Sequence, residues 1–175
     1  MAESSLSGIR VIDLTTVLMG PMATRMLGDH GAEVIRVEST DGDSTRNGLP
    51  QRNEGMSGFS LNLQRNKKSL SIDLKNDRGY EVMLSLVQTA DVIVTNMRSQ
   101  ALERLKLDEA SLNLVNPKMI YCRANGFASN GPYGEKAAYD DAIQAASGLA
   151  ALFSSTTGQP TYVPAVIADK VTGLH

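Results

Sequence analysis

One acid in the last segment of the sequence is the residue best placed to do covalent chemistry. In "YVPAVIADKVTGLH" (162–175), strand-forming residues lead to Asp169, and a helix-like pattern follows from Lys170. We predict a buried strand over 161–168 that delivers this carboxylate to a strand–helix junction. A carboxylate there can act as a nucleophile, or it can simply cap the helix that begins at Lys170. Its place at the carboxyl end of a buried strand favours the functional interpretation.

A second set of polar residues suggests an anionic ligand. The cluster "RNKKS" (65–69) is basic and lies beside a predicted strand, and it fits a solvated loop and a phosphate clamp equally well. Further polar side chains follow neighbouring strands and favour an extended anionic ligand: Lys75, Asn96, Arg98 and Arg104.

Two acids open a predicted helix near 141–152. Asp140 and Asp141 lie in "YDDAIQA" (139–145). Either carboxylate can cap the helix and interact favourably with its dipole, and for at least one of them we expect that role rather than catalysis.

A dinucleotide site is disfavoured, although Glu38 ends the second predicted strand. The dinucleotide fingerprint needs G-x-G-x-x-G after the first strand, so that the backbone can approach a pyrophosphate. The corresponding turn, "TTVLMGPMATRM", has a single glycine, Gly20, and bulky Leu18 and Met19 where close approach is required.

Metal chemistry has no support in the sequence either. There is no H-E-x-x-H motif and there are no paired cysteines, and His30 and His175 lack the spacing of ligands. No Walker loop is present. We therefore predict neither a metal nor a nucleotide cofactor.

Alternating strand and helix patterns must position these residues. We predict strands over 9–14, 33–38, 69–74, 91–96, 119–126 and 161–168. Helices are predicted from Pro21 to near Gly31, from Asn76 or Asp77 to about Thr89, over 99–105, over 108–115 and near 141–152. Residues 40–66 are predicted to be a long irregular segment, which is typical of functional or mobile loops.

This alternation predicts the fold class. Strands separated by helices imply right-handed crossovers and a parallel sheet that is covered on both faces. The fold class is therefore α/β: a doubly wound, mostly parallel Rossmann-like sheet with helices on both faces. Ligands bind such sheets beyond the carboxyl ends of the strands, which directs attention to the loops there and to Asp169.

Composition excludes several classes of protein. The chain has 175 residues, 42% hydrophobic content and a net charge of −2, which fits a globular core and argues against nucleic-acid binding. One cysteine, Cys122, fits a reducing compartment. No apolar run is long enough for a signal peptide core or a membrane span. We expect a soluble, cytoplasmic protein with no nucleic-acid or membrane partner.

Several segments, taken in order, resemble the family III CoA-transferases, the CaiB/BaiF group that includes formyl-CoA transferase. They are "GIRVIDLTTVLMGPMATRMLGDHGAEVIRVE", "NKKSLSIDLK", "ADVIVTN", "NPKMIYCRANGF", "GPY" and "IADKVTGLH". The likeness covers essentially all of the chain, and family members are considerably longer. We therefore expect residues 1–175 to be the N-terminal part of an incomplete CoA-binding, Rossmann-like large domain. The remaining domain and the closing C-terminal segment are expected to be absent from this chain.

The resemblance implies a reaction and a set of contacts. Asp169 corresponds to the nucleophilic aspartate, which forms an aspartyl anhydride and then an aspartyl-CoA thioester. The implied substrates are an acyl-CoA and a small carboxylic acid, with no cofactor beyond CoA itself. The resemblance also implies an interlocked homodimer, and we expect this fragment alone to be inactive. The implied CoA contacts are Leu18, Met19, Ile72, Asp73, Leu74, Lys75, Asn96, Met97, Arg98, Arg104, Tyr139 and Asp140.

The sequence departs from the formyl-CoA transferase pattern at two positions. Leu18 replaces a glutamine, and Ser39 replaces an arginine after the second strand. The second change weakens the case for a phosphate clamp at residue 39, and the departures argue against a specificity for oxalate and formate.

Two alternatives to the transferase are considered. The same family includes α-methylacyl-CoA racemases, in which a histidine works opposite the aspartate. Tyr139 occupies that position here, and a tyrosine is a poor base at neutral pH. The resemblance therefore favours the transferase. A non-catalytic CoA-binding fragment is the other alternative, and turnover of acyl-CoA distinguishes it from both enzymes.

Overall fold

The computed structural model of the protein describes residues 4–175, which form two compact units. The sheet unit ends at Ala124, and the helical unit comprises Asn125–His175. No helix in the range 4–175 combines the length and the apolar character needed to cross a bilayer.

The sheet unit contains one parallel sheet. Over the described part of this unit the sheet has five strands in the order β3-β2-β1-β4-β5. The strands are β1 (Arg10–Asp13), β2 (Glu33–Glu38), β3 (Lys67–Ser71), β4 (Val92–Thr95) and β5 (Ile120–Arg123). The helices between them are α1 (Met19–Asp29), α2 (Gly58–Leu63), α3 (Asp77–Val87), α4 (Ser99–Arg104) and α5 (Glu109–Asn113).

Both faces of the sheet are covered, because side chains alternate along each strand. Ile12 and Ile93 lie on the face that packs against Met83 and Val87 of α3. Val11 belongs to the second cluster, which partly buried Leu27 of α1 covers on the other face. The predicted fold class, a doubly wound α/β sheet, is confirmed.

Local signals set several of the helix starts. The side chain of Asn76 accepts a hydrogen bond from the Arg78 N–H at 3.0 Å, so α3 begins at the predicted cap. α1 begins at Met19, two residues before the predicted start at Pro21. Proline is tolerated there because the N–H groups of a first helical turn have no partner within the helix.

Residues 40–66 are less irregular than predicted. A 3-10 helix covers Ser44–Asn47, and α2 covers Gly58–Leu63. The hydroxyl of Ser57 caps α2 by accepting from the Ser60 N–H at 3.0 Å. A helix of this length shows too little periodicity to be recognised in the sequence.

The third strand is displaced from its predicted range of 69–74. β3 pairs with β2 from Val34↔Lys67 to Glu38↔Ser71, so its ladder finishes where β2 ends. The lysines at its start interrupt the apolar run by which a strand is recognised in a sequence.

The helical unit contains α6 (Asp140–Ala146), α7 (Leu149–Leu152), α8 (Ser154–Thr157) and α9 (Ile167–Leu174). The single helix predicted near 141–152 is interrupted at Gly148, whose φ of 82° ends the helical path. The predicted sixth strand over 161–168 is wrong, because this segment is irregular until α9 begins. Pro164 has no N–H to donate to a neighbouring strand, which disfavours strand pairing here.

Candidate functional site

Asp169 lies in the first turn of α9. Both predicted positions for it are wrong: it does not end a strand, and the residue before the helix is Val166. The N-terminus of a helix favours a negative charge, because the free N–H groups and the helix dipole point toward it. The carboxylate is half-buried, and no donor within residues 4–175 forms a hydrogen bond with it.

Asp140 holds the backbone beside that carboxylate. Its Oδ1 accepts a hydrogen bond from the Asp169 N–H at 2.9 Å, and its Oδ2 accepts from Nε2 of Gln144 at 2.7 Å. Asp140 is the first residue of α6, so its side chain connects the N-terminus of α6 to the first turn of α9. The two acids therefore differ: both oxygens of Asp140 are engaged, whereas those of Asp169 are open for reaction.

Burial raises the pKa of the Asp169 carboxyl above its ordinary value of 3.8, and the negative charge of Asp140 raises that pKa further. Both effects disfavour the ionised form of Asp169. A carboxylate with a raised pKa is more basic when it is ionised. This is the chemistry expected of an oxygen nucleophile.

Tyr139 is the residue preceding α6, and its side chain is 70% exposed. It makes no cap hydrogen bond to the helix. Of the predicted residues in the helical unit, the structure brings together Asp140 and Asp169, and Tyr139 immediately precedes Asp140 in the chain.

In the sheet unit, the loop between β1 and α1 carries Leu18 and Met19. Leu18 precedes α1 and Met19 is its first residue, and both are partly buried. Val17 has a φ of 69°, which is an unusual conformation for a β-branched residue. The Val17 N–H donates to Oδ2 of Asp43 at 3.2 Å. A strained conformation that is held by a buried carboxylate is typical of functional loops.

The end of β4 supports the same loop. The side-chain amide of Asn96 accepts a hydrogen bond from the Thr16 N–H at 3.0 Å and donates one to the Thr16 carbonyl oxygen at 2.9 Å. It therefore holds the backbone of the loop at Thr16. Met97 packs against the core on the α3 face of the sheet. Arg98 precedes α4 and is exposed.

A groove of about 470 Å³ lies between the residues that follow β3 and the end of α4. Lys75, Arg104 and Lys106 provide its positive charge, and none of the three has an ion-pair partner in the described chain. The remaining lining residues are Leu74, Asn76, Asp77, Tyr80 and Leu105. An open cationic groove with apolar and aromatic walls suits a phosphorylated ligand.

The predicted residues just before this groove have structural roles. Ile72 packs against the core, and its N–H donates to the Glu38 carbonyl oxygen at 3.0 Å. Asp73 accepts from the Lys75 N–H at 2.9 Å and so shapes the turn into α3.

The basic cluster at 65–69 does not provide free cations. Lys67 is buried and donates to Oδ2 of Asp13 at 2.9 Å and to Thr24 at 2.8 Å. Arg65 pairs with Asp29, and Lys68 pairs with Glu33 at 2.5 Å. Each cation of the cluster is therefore paired within the sheet unit, whereas Lys75, Arg104 and Lys106 of the groove form no ion pair within residues 4–175.

Glu38 is likewise engaged within the fold. It pairs with Arg46 and with Arg36, and it accepts from Ser69 at 2.8 Å. Burial opposes ionisation of Glu38, but the hydrogen bonds from Arg46 and Ser69 and the nearby arginine charges lower its pKa to about 2. An acid that is held in this way does not offer a free carboxylate to a nucleotide ribose.

Several residues at these sites were absent from the predicted set, among them Tyr80, Lys106 and Gln144. Lys106 and Tyr80 line the groove, and Gln144 donates to Asp140. The spacing of Asp140 and Gln144, four residues apart on a helix, was the available signal for the latter. The groove residues had no comparable signal, because Tyr80 lies in α3 and Lys106 follows α4, and no local pattern predicts that the two approach each other.

Comparison with known proteins identifies the family. Residues 6–175 match the family described as CoA-transferase family III. The chain belongs to this family. A CaiB/BaiF family protein from Brucella suis has a similar structure, with a TM-score of 0.92 and 37% identity. The match covers 99% of this chain and 47% of that one.

Two curated relatives of this family III chain carry functional names. Succinate–glutarate CoA-transferase of Agrobacterium fabrum is 41% identical over 97% of this chain and 44% of its own length. Formyl-CoA:oxalate CoA-transferase of Rhodopseudomonas palustris strain BisA53 is 37% identical over 98% of this chain and 40% of its own. The family III chain thus spans less than half the length of these relatives.

Proposed function

We propose that the protein containing this chain moves CoA from an acyl-CoA thioester to an acceptor carboxylate, with Asp169 as the nucleophile. Membership of CoA-transferase family III and the transferase names of the two relatives support the reaction. The observation that carries the assignment of the nucleophile is the contrast between two neighbouring acids. Asp140 is fully engaged, whereas the carboxylate of Asp169 is half-buried and open.

In the proposed reaction, an oxygen of the Asp169 carboxylate attacks the thioester carbonyl carbon. The C–S bond breaks, CoA leaves as a thiolate, and a mixed anhydride of Asp169 and the donor acid remains. The thiolate then attacks the Asp169 carbonyl carbon, which releases the donor acid and forms an aspartyl-CoA thioester. Covalent catalysis of this kind divides one difficult transfer into easier steps.

The second half of the reaction repeats the same chemistry with the acceptor. The acceptor carboxylate attacks the aspartyl thioester, which expels the thiolate and forms a second mixed anhydride. The thiolate attacks the acceptor's carbonyl carbon in that anhydride, and Asp169 leaves as a free carboxylate. Every bond formed on Asp169 is broken again, so the protein is unchanged after one turnover.

We assign the phosphates of CoA to the groove in the sheet unit. Lys75, Arg104 and Lys106 are exposed cations without an ion-pair partner within residues 4–175, and the groove includes residues that follow the carboxyl end of β3. Parallel sheets bind ligands at that edge. CoA serves here as a substrate, with a small carboxylic acid as the acceptor. The homodimer and the cytoplasmic location stay predictions.

Neither alternative to the transferase gains support. Racemisation requires an acid or base on each side of the carbanion, and Tyr139 occupies the position opposite Asp169 by family resemblance. A binding module without catalysis would not need an open carboxylate whose pKa burial raises.

The change Asp169→Asn tests the assignment in the complete natural protein. Asparagine keeps the shape of the side chain but has no anion that can attack the thioester. CoA transfer should fall by several orders of magnitude, while the dissociation constant of CoA stays near that of the wild type.

The control is Asp141→Asn, which removes a neighbouring exposed acid of α6 and should leave transfer nearly unchanged. Transfer by Asp169→Asn at a rate close to wild type would show that another group is the nucleophile.

A further inference from the structure

Gln144 is a buried polar side chain of α6 in the helical unit. It is 2% exposed, and its amide is fully used. Oε1 accepts from the Val163 N–H at 2.8 Å, and Nε2 donates to Oδ2 of Asp140 at 2.7 Å. Only one orientation of the amide satisfies both contacts, because a carboxylate accepts hydrogen bonds and a backbone N–H donates them.

The same amide forms hydrogen bonds with backbone groups that would pair with a neighbouring strand in a sheet. Nε2 also lies 3.4 Å from the Val163 carbonyl oxygen and 3.3 Å from that of Ala165. These backbone groups belong to the irregular segment that leads into α9, and partly buried backbone groups need partners. One side chain of α6 therefore fixes the path of the chain just before Asp169.

Gln144 acts on the nucleophile by a second route as well. One carboxylate oxygen of Asp140 accepts a hydrogen bond from Gln144, and the other accepts a hydrogen bond from the Asp169 N–H. A carboxylate held by two donors in this way has a restricted rotamer. The amide of Gln144 thus determines where Asp140 holds the backbone of Asp169.

We propose that Gln144 is a positioning residue for acyl transfer, which fixes Asp169 through Asp140 and through the segment before α9. The inference rests on the proposed function, since it concerns the placement of the nucleophile. Covalent catalysis depends on accurate placement of the reacting atoms, and small displacements reduce the rate strongly.

Two single variants separate this role from simple packing. Gln144→Glu keeps an acceptor for the Val163 N–H but turns the contact with Asp140 into a repulsion between carboxylates. Asp140→Asn keeps an acceptor for the Asp169 N–H but presents an amide donor to the Nε2 donor of Gln144. Each should slow formation of the acyl adduct at saturating acyl-CoA by about tenfold or more, with little change in CoA affinity.

The double variant Gln144→Glu with Asp140→Asn provides the rescue. The introduced amide can donate to the introduced carboxylate, so the hydrogen bond is restored with its direction reversed and the net charge is unchanged. The introduced carboxylate has no donor for the Val163 and Ala165 carbonyl oxygens, so the rescue reports the route through Asp140. Adduct formation should recover about tenfold relative to the slower single variant. Gln159→Glu, the same change at an exposed position of this unit, is the control and should have no effect.

The measurement is single-turnover adduct formation, with thermal unfolding recorded for each variant. Additive losses in the double variant would overturn the proposal, as would single variants that lose stability but keep the wild-type rate. If either single variant does not fold, a folded and active double variant supports the proposal, and a double variant that is also unfolded contradicts it.

Failure of this proposal can be distinguished from failure of the proposed function. If wild-type protein forms no adduct at Asp169, the proposed function fails. If wild type forms the adduct and the variants form it equally fast, only the role of Gln144 is wrong.

Discussion

Two aspartates of the helical unit show how environment separates residues of the same type. Asp140 accepts hydrogen bonds on both oxygens, whereas Asp169 accepts none within residues 4–175. Burial and the charge of Asp140 raise the pKa of Asp169. The same carboxyl group is thus a structural acceptor at one position and a candidate nucleophile at the other.

This arrangement predicts the pH dependence of adduct formation. The nucleophile must be ionised, so the rate should be maximal above the raised pKa of Asp169 and fall as the pH drops through it. The fall should begin at a higher pH than an aspartate with an ordinary pKa of 3.8 would give. A pH profile of single-turnover adduct formation measures this directly.

Asp140→Asn provides the matched comparison for the pH profile. It removes the neighbouring negative charge but leaves burial, so the acidic limb should move to lower pH without reaching that of an exposed aspartate. A limb that stays in place, or moves to higher pH, would show that Asp140 does not influence the pKa of Asp169.

Substitution of Arg104 tests whether the groove binds the 3′-phosphate of CoA. If its guanidinium meets the 3′-phosphate, Arg104→Gln should weaken CoA binding by about tenfold and dephospho-CoA binding much less. Lys118→Gln removes an equal charge before β5, at the amino-terminal edge of the sheet, and should weaken neither ligand. Calorimetric titration of both ligands compares them, and equal weakening of both by Arg104→Gln would exclude the 3′-phosphate assignment.

At the scale of elements, β3 shows why a basic cluster need not bind an anion. Lys67 and Lys68 are adjacent in this strand and point to opposite faces of the sheet. The Lys67 side chain is 1% exposed and pairs with Asp13 of β1, whereas that of Lys68 is 70% exposed and pairs with Glu33 of β2. Burial lowers the pKa of Lys67, and the charge of Asp13 partly offsets this effect.

The same substitution should cause very different losses of stability at Lys67 and at Lys68. Lys67→Met leaves Asp13 buried without its cation and should lower the free energy of unfolding by about 3–5 kcal/mol. Lys68→Met removes a surface ion pair and should cost about 1 kcal/mol or less. Urea denaturation of both variants checks the difference, and similar losses would show that the buried pair does not stabilise the sheet unit.

Sequence patterns predicted the elements that carry strong local signals. β2 has its predicted bounds of 33–38, and α3 begins after the predicted cap at Asn76. The segment 161–168 was mistaken for a strand because its composition favours strands. Its backbone partner is a side chain distant in sequence, Gln144, and no local pattern predicts such a contact.

At the scale of the whole molecule, the candidate groups fall into two units. The cationic groove belongs to the sheet unit, and Asp169 belongs to the helical unit. The sequence predicted Lys75, Arg104 and Asp169 through family resemblance. It could not predict that the cluster at 65–69 is neutralised internally, because ion pairs such as Lys67–Asp13 depend on the strand order of the sheet.

The proposed reaction requires covalent modification of Asp169 by the substrate. Peptide mass spectrometry of the complete protein, after incubation with acyl-CoA and quenching with hydroxylamine, detects this modification, because hydroxylamine converts an aspartyl anhydride or thioester into a hydroxamate. We predict the hydroxamate on the peptide that contains Asp169 in wild type, and none after Asp169→Asn. An unmodified Asp169 in protein that is turning over acyl-CoA, or a hydroxamate on a different acid, would contradict the account.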